Sequence, residues 1–288
     1  MGTKTSVRMD GNVAIVSINN PPMNVWNRAI TDELIATFER LDLDDNVKVV
    51  ILTGAGKAFC AGLALSADDN FSSGGSEVTT FEEREHRDSG GTFTLTAFRM
   101  RKVTIAAING VAVGIGATCT LPCDFRVTHK DAKIGFVFAR RGVTAEASSL
   151  AAASTYFLPK LIGHARALEV TMSGRVQKAS HPSLSGLWAE LVDKPEDVLP
   201  AALKLAHEVA DNCSLVSLAV SKALMWRDAG TPEGQHLLDS PSVFELGQGD
   251  GKEGVASFLQ KRPPQFPGRV PRDLPSFYPW WKTVNVKL

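Results

Sequence analysis

The apolar positions of this chain change period several times, and each change marks an element. Val7 to Ile18 alternates as VRM, a turn at DGN and then VAIVSI, a pattern that predicts a β-hairpin around Asp10 and Gly11. The double proline in NNPPMNVWN, residues 19–27, excludes regular structure there. Beyond it Ile30, Leu34, Ile35 and Phe38 recur at helical spacing and predict a helix over Arg28 to Leu41. KVVILT, residues 48–53, reads as a buried strand that runs into the glycine-bearing turn GAGKAFCAGLAL, residues 54–65. From Ser66 to Ser89 the period is lost in Ser, Gly, Asp and Glu, the composition of a long surface loop with one short helix around Glu82 to Arg87.

Further along, the pattern predicts a helix over Phe93 to Arg101 and a strand over Thr104 to Ile108. NGVAVGIGA then turns into a helix ending near Pro122, and DFRVTH and AKIGF follow as strands. Helices are expected over Glu146 to Tyr156 and Ala165 to Met172, and a short strand within Gly186 to Val192. After Pro195 the pattern is helical, in ALKLAHEVADN, LVSLAVSKALMWR and KEGVASFLQKR. The tail from Pro263, rich in proline and aromatic residues, reads as irregular chain draped over a surface. Strands alternating with helices, followed by a run of helices, imply an α/β fold with parallel βαβ units and a separate helical layer. The expected divisions are residues 1–195, 196–262 and 263–288.

Composition narrows the function classes. The 288 residues suffice to bury a continuous core. Thirty-one basic residues balance thirty-one acidic ones, which argues against bulk affinity for nucleic acid. No apolar run reaches the length of a membrane span. Cys60, Cys119, Cys123 and Cys213, in a chain that shows no signal peptide, point to a reducing compartment and to core packing; no ligating cluster accompanies them. The chain ends Val286-Lys287-Leu288, one residue away from the Ser-Lys-Leu peroxisomal address, so a peroxisomal or a cytoplasmic location is expected.

Two glycine-bearing turns, Gly54 to Leu65 and Asn109 to Gly116, each lie between a buried strand and a helix. The first amides of a helix have no partner within it, so two such ends brought together can donate two hydrogen bonds to one oxygen. Gly110 to Gly114 does not fit the dinucleotide spacing, and no phosphate-loop or serine-elbow motif is present. Glu146 stands in the otherwise uncharged segment GVTAEASS. An ordinary first-turn glutamate explains it. Enclosed by its Ala and Phe neighbours, the same carboxyl would be desolvated and suited to proton transfer.

KAFCAGLALS, followed by AAINGVAVGIGATCTLPCDFRVTHKDAKIGF, resembles the crotonase (enoyl-CoA hydratase/isomerase) superfamily over most of residues 6–192, and GVASFLQKRPPQF resembles its C-terminal helix. The resemblance implies a spiral of ββα turns that binds acyl-CoA, residues 1–195, then a helical oligomerisation region. It also implies acyl-CoA thioester substrates, no metal or redox cofactor, and a homotrimer or a hexamer built as a dimer of trimers. The oxyanion-hole amides would be those of Leu63 and Ile115. Trp26, Arg28 and Lys261 would contact CoA, and Leu65 and Phe138 would line the acyl pocket. The two glutamates of the hydratases are replaced by Thr118 and Phe138. What remains is Glu146, placed like the single catalytic acid/base of peroxisomal Δ3,Δ2-enoyl-CoA isomerases. Arg140 and Arg141 either brace the Glu146 segment or form a solvated turn.

Three activities fit this pattern. The first is a Δ3,Δ2-enoyl-CoA isomerase. The second is an enoyl-CoA hydratase or 3-hydroxyacyl-CoA dehydratase that uses the same glutamate, including a specialised one such as the mevalonyl-CoA hydratase of siderophore biosynthesis. The third is a non-catalytic acyl-CoA-binding or RNA-binding relative.

Overall fold

A computed structural model describes residues 3–64, 89–143 and 153–284. The chain opens with strands β1 (Thr5–Asp10) and β2 (Val13–Ile18), paired antiparallel across the Asp10–Gly11 turn as the alternation predicts. Helix α1 (Arg28–Leu43) starts at Asn27, whose side-chain oxygen accepts from the Ile30 N–H at 3.0 Å and satisfies one of the unpaired first-turn amides. Ile30, Leu34 and Phe38 are its buried stripe, and α1 runs one half-turn beyond the expected end at Leu41.

Strand β3 (Val49–Gly54), helix α2 (Ser89–Arg99) and strand β4 (Val103–Ile108) follow. Strand β5 (Ala112–Val113) leads into the single-turn helix α3 (Ile115–Thr118), and β6 (Phe125–His129) and β7 (Lys133–Gly135) complete this part. A 3-10 turn covers Phe138–Arg141. Helices α4 (Ser154–Ile162) and α5 (His164–Ser173) and the short strands β8 (Val176–Lys178) and β9 (Glu190–Val192) come next. Four helices close the fold: α6 (Val198–Asn212), α7 (Leu215–Trp226), α8 (Pro232–Gln248) and α9 (Asp250–Leu259).

The large sheet has the order β1-β2-β3-β4-β6-β9 and is parallel from β2 onward. Strand side chains alternate between its faces. Ala14, Val16, Val50, Leu52, Ala106 and Ile108 enter the main core with α1. Their neighbours Val13, Ile15, Val49, Ile51 and Ile105 form a second core beneath α6, which contributes Val198, Ala202, Ala206 and Val209. Each buried Val, Leu or Ile of this kind stabilises the fold by roughly 1.5–3 kcal/mol. Helix α6 thus covers the second face of the sheet, although it begins the stretch set apart at residue 196.

A second sheet, β5-β7-β8, is extended by two single bridges, Cys60 to Ala112 and Trp26 to Leu63. Successive turns of the chain place one strand in the large sheet and one pairing segment in the small layer: β3 with residues 60–63, β4 with β5, and β6 with β7. This is the ββα spiral.

Three elements depart from the pattern. Helix α4 continues to Ile162 rather than stopping at Tyr156, because Pro159 removes one donor without ending the helix; its own carbonyl still accepts from the Gly163 N–H at 3.0 Å. Helix α8 has no predicted counterpart: it contains Pro241 and, among its residues, buries only Ser242, so it carries no apolar period facing its own core. Strand β8 is short and exposed and is defined by its antiparallel pairing with β7. The expected short helix around residues 82–87, the start of the helix expected at Glu146 and the terminal Val-Lys-Leu all lie outside the described residues.

Candidate active site

The two glycine turns meet side by side. The Cys60 N–H donates to the Val111 carbonyl at 3.0 Å, and the Val113 N–H to the Cys60 carbonyl at 3.1 Å. This pairs Cys60 with Ala112 in parallel register. Three residues further along both segments stand Leu63 and Ile115.

On the opposite side of Leu63, the Trp26 N–H donates to Gly62 O at 2.7 Å and the Ala64 N–H to Trp26 O at 2.9 Å. In such a parallel bridge the groups on either side of Leu63 face Trp26, and the N–H of Leu63 itself is turned the other way, toward the segment that carries Ile115. Ile115 is the first residue of α3, where a backbone N–H has no intrahelical acceptor. Among the described residues, neither amide donates to a backbone carbonyl.

Glycine makes this approach possible. A Cβ added at Gly116 would lie 2.1 Å from the Cys60 carbonyl oxygen, inside any real contact distance. Gly114, at φ 57° and ψ −125°, takes a backbone conformation that side chains avoid and turns the chain from β5 into α3. Two asparagines then tie the turns down. Asn109 Nδ2 donates to the carbonyls of Gly54 and Gly56 at 3.0 and 2.9 Å, and its Oδ1 accepts from the Gly54 N–H at 3.2 Å. Buried Asn24 donates to the carbonyls of Ala55 and Ala58 at 2.9 and 2.7 Å. Neither was singled out from sequence; the available signal was an asparagine in irregular chain, within the double-proline segment for Asn24 and at the start of the second turn for Asn109, a residue that satisfies backbone groups there.

The remaining candidates fall into three groups. Phe138 is buried in the main apolar cluster with Ile115, and Leu63 packs against that cluster from a partly exposed position. Trp26 is a correction: its ring is fully buried, its indole N–H donates to Thr31 Oγ1 at 2.8 Å, and it packs against Phe93 at 5.6 Å between centroids. A side chain with no exposed surface offers nothing for CoA to touch, so its contribution here is the backbone bridge to Leu63. Arg28 and Lys261 are exposed. Arg28 pairs with Asp32 one helical turn on at 2.9 Å, and Lys261 follows α9 at φ 54°. Leu65 and Glu146 lie outside the described residues.

Thr118 is fully buried and its hydroxyl donates to the Gly114 carbonyl one turn back at 3.3 Å. Cys60, although beside the turns, has its thiol pushed up to about 12 by burial, which removes it as a nucleophile. Arg140 donates through Nε to the Ser173 carbonyl at 3.1 Å, and so braces the end of α5.

The enoyl-CoA hydratase/isomerase family model matches residues 8–269 of the chain. The enoyl-CoA hydratase AFT3-1 of Alternaria alternata is 39% identical over 258 residues, covering 89% of this chain and 83% of that protein. The mevalonyl-coenzyme A hydratase SIDH of Beauveria bassiana is 30% identical over 259 residues, covering 88% and 90% respectively. Among solved structures, a probable enoyl-CoA hydratase/isomerase from Mycobacterium abscessus superposes with a TM-score of 0.80 at 28% identity, covering 93% of this chain and all of that one. With the ββα spiral and the paired turns, these matches identify the chain as an enzyme of the enoyl-CoA hydratase/isomerase family.

Proposed function

We propose that the chain binds an acyl-CoA thioester with its carbonyl oxygen between the N–H groups of Leu63 and Ile115, and that Glu146 moves a carbon-bound proton while these amides stabilise the enolate. The observation that carries this reading is a pair of amides, three residues beyond the Cys60–Ala112 bridge on either segment, that among the described residues donate to no backbone carbonyl. Preorganised donors aimed at developing charge are worth about 3–4 kcal/mol each. After the proton leaves one carbon, protonated Glu146 returns it to another, and the double bond shifts along the chain. One acid/base suffices, and the reaction is a Δ3,Δ2-enoyl-CoA isomerisation. The two positions where hydratases carry glutamates support it: buried Thr118 spends its hydroxyl on a backbone carbonyl, and Phe138 is apolar.

A second reading is favoured by the names of relatives at 39% and 30% identity, both hydratases. In it Glu146 delivers water to a 2-enoyl-CoA, or removes it from a 3-hydroxyacyl-CoA, in a syn process. Incubation with 3-enoyl-, 2-enoyl- and branched 3-hydroxyacyl-CoA esters, with products read by mass and chromatography, separates the two. An isomer of unchanged mass supports the first reading; gain or loss of water with no double-bond shift replaces it with the second.

We also propose self-association through α8 and α9, where Leu237, Val243, Phe244, Phe258 and Leu259 are exposed. A trimer or hexamer in solution is expected by light scattering, and a monomer at working concentration contradicts it.

A further inference from the structure

Strand β6 carries a buried cation. Val127 faces the core beneath α6, and its neighbour Arg126 faces the other side of the sheet, where it is 6% exposed. Burial pulls its pKa below the usual arginine value, yet a guanidinium keeps its charge. Among the described residues it pairs with no carboxylate; Asp124, two residues before it, pairs instead with Lys222 at 3.0 Å. The hydrogen bonds of the Arg126 side chain end on backbone carbonyls. Nη1 donates to Cys123 at 2.6 Å and to Thr120 and Leu121 at 3.3 Å, and Nε donates to Leu187 at 2.8 Å.

Three of these carbonyls close the helical run that begins at Ile115. Beyond α3 the main chain continues in helical turns: the Cys119 N–H donates to Ile115 O at 2.9 Å, Thr120 N–H to Ala117 O at 3.3 Å, Leu121 N–H to Thr118 O at 3.1 Å and Cys123 N–H to Thr120 O at 3.2 Å. The Thr120 hydroxyl adds a bond to Ala117 O at 2.7 Å. The last carbonyls of such a run lack amide partners within it and carry its partial negative charge. Arg126 brings both donors and a positive charge to that end, and its other anchor, Leu187, lies outside the run. Arg126 also lines a small cavity together with Ala112 and Ala117, which stand on either side of Ile115 in the chain. The Ile115 amide and the carbonyls held by Arg126 therefore belong to one short hydrogen-bonded body, and the guanidinium ties that body to the rest of the fold.

We propose that Arg126 is a positioning residue for the reaction: by fixing the carbonyl end of this run, its guanidinium holds the Ile115 N–H in place against the substrate carbonyl oxygen. The inference rests on the acyl-CoA reading above. In it Arg126 acts through the backbone, not through contact with the substrate.

The test compares R126M and R126K with wild type in the full chain, below their unfolding temperatures, by two readouts. The first is the infrared stretch of the thioester carbonyl in bound butyryl-CoA isotope-labelled at that carbon, a saturated ester that neither an isomerase nor a hydratase consumes. The second is kcat and KM on the enoyl-CoA ester that wild type turns over. Wild type should lower the bound stretch below that of the free ester, because the two amides polarise the carbonyl. R126M removes the charge and all the donors; its downshift should shrink, and its kcat should fall on the order of tenfold with KM little changed. R126K keeps the charge but cannot bridge Leu187 and the run at once, so its downshift and kcat should lie between those of R126M and wild type. Should R126M fail to fold, R126K decides alone, with both values expected below wild type. A wild-type downshift and kcat in folded R126M, or in R126K where R126M does not fold, overturns the proposal even if the variant melts earlier. Bound wild type with no downshift at all removes the reading of the two amides and the proposal with it, whereas a wild-type downshift that the variants leave unchanged removes only the role of Arg126.

Discussion

Leu63 and Ile115 each stand three residues beyond the parallel bridge that joins Cys60 to Ala112. Trp26 occupies the other side of Leu63 and so turns the Leu63 N–H toward the Ile115 segment. The side chains at both positions are incidental to the proposed role, because the donors it needs are backbone amides. It depends instead on the residues that let two main chains approach, and those residues are where the account is most exposed to test.

Gly116→Ala is the sharpest perturbation of that approach. Its methyl would sit 2.1 Å from the Cys60 carbonyl oxygen, and backbone, not a flexible side chain, would have to yield. We expect a loss of about 1–3 kcal/mol in stability from overpacking. Displacing one amide should also lower kcat/KM by about a hundredfold. Thermal unfolding and steady-state kinetics measure the two effects, and a variant with wild-type kinetics would show that the spacing of the turns is not what the reaction needs.

Thr118→Val asks whether the buried hydroxyl acts in the reaction. Its hydrogen bond runs to the Gly114 carbonyl one turn back, a local contact that typically contributes about 0.5–1.5 kcal/mol. The isosteric valine should therefore cost a little stability and leave kcat/KM within about twofold of wild type. A fall of about a hundredfold would assign the hydroxyl to the chemistry, in the range for a general acid or base, and would favour water handling at this position.

The turn beside Lys261 carries a pH signature. Glu253 is held at about 2, chiefly by hydrogen bonds from the Arg262 guanidinium and then by the Gln265 N–H at 2.6 Å. Its folded value lies below the unfolded one of about 4.3, so its contribution is fully present above that pH and is lost as pH falls through about 2. Wild type should unfold at a higher temperature than Glu253→Gln at neutral pH, and the gap should close only as pH approaches that folded value. A gap already closed near the unfolded value of about 4.3 would mean that the Arg262 clasp does not persist in solution.

Much of the fold was legible because its strands are buried on both faces and its helices carry one apolar stripe. KVVILT and Ile30, Leu34 and Phe38 of α1 announce themselves in this way, and the ββα spiral followed from the motif that joins them. Helix α8 was not legible, since Leu237, Val243 and Phe244 are exposed and its only buried residue is Ser242. At the site, the glycine turns indicated two segments whose backbones can pass closely, whereas Leu63 and Ile115 themselves came only with the resemblance to the crotonase superfamily. The burial of Trp26 was invisible: an aromatic residue after a double proline has the same sequence whether it meets a ligand or the core. The work of Asn24 and Asn109 was equally hidden, since their partners are carbonyls more than thirty residues away.

The central claim is that one carboxylate, Glu146, performs the proton transfer beside those two amides. Glu146→Gln preserves size and removes the base, and a single measurement decides the matter: turnover of a saturating enoyl-CoA ester by protein whose affinity for the same ester is measured in parallel. The account predicts unchanged binding with kcat reduced by at least about a thousandfold. Turnover within about tenfold of wild type, with binding intact, would contradict it.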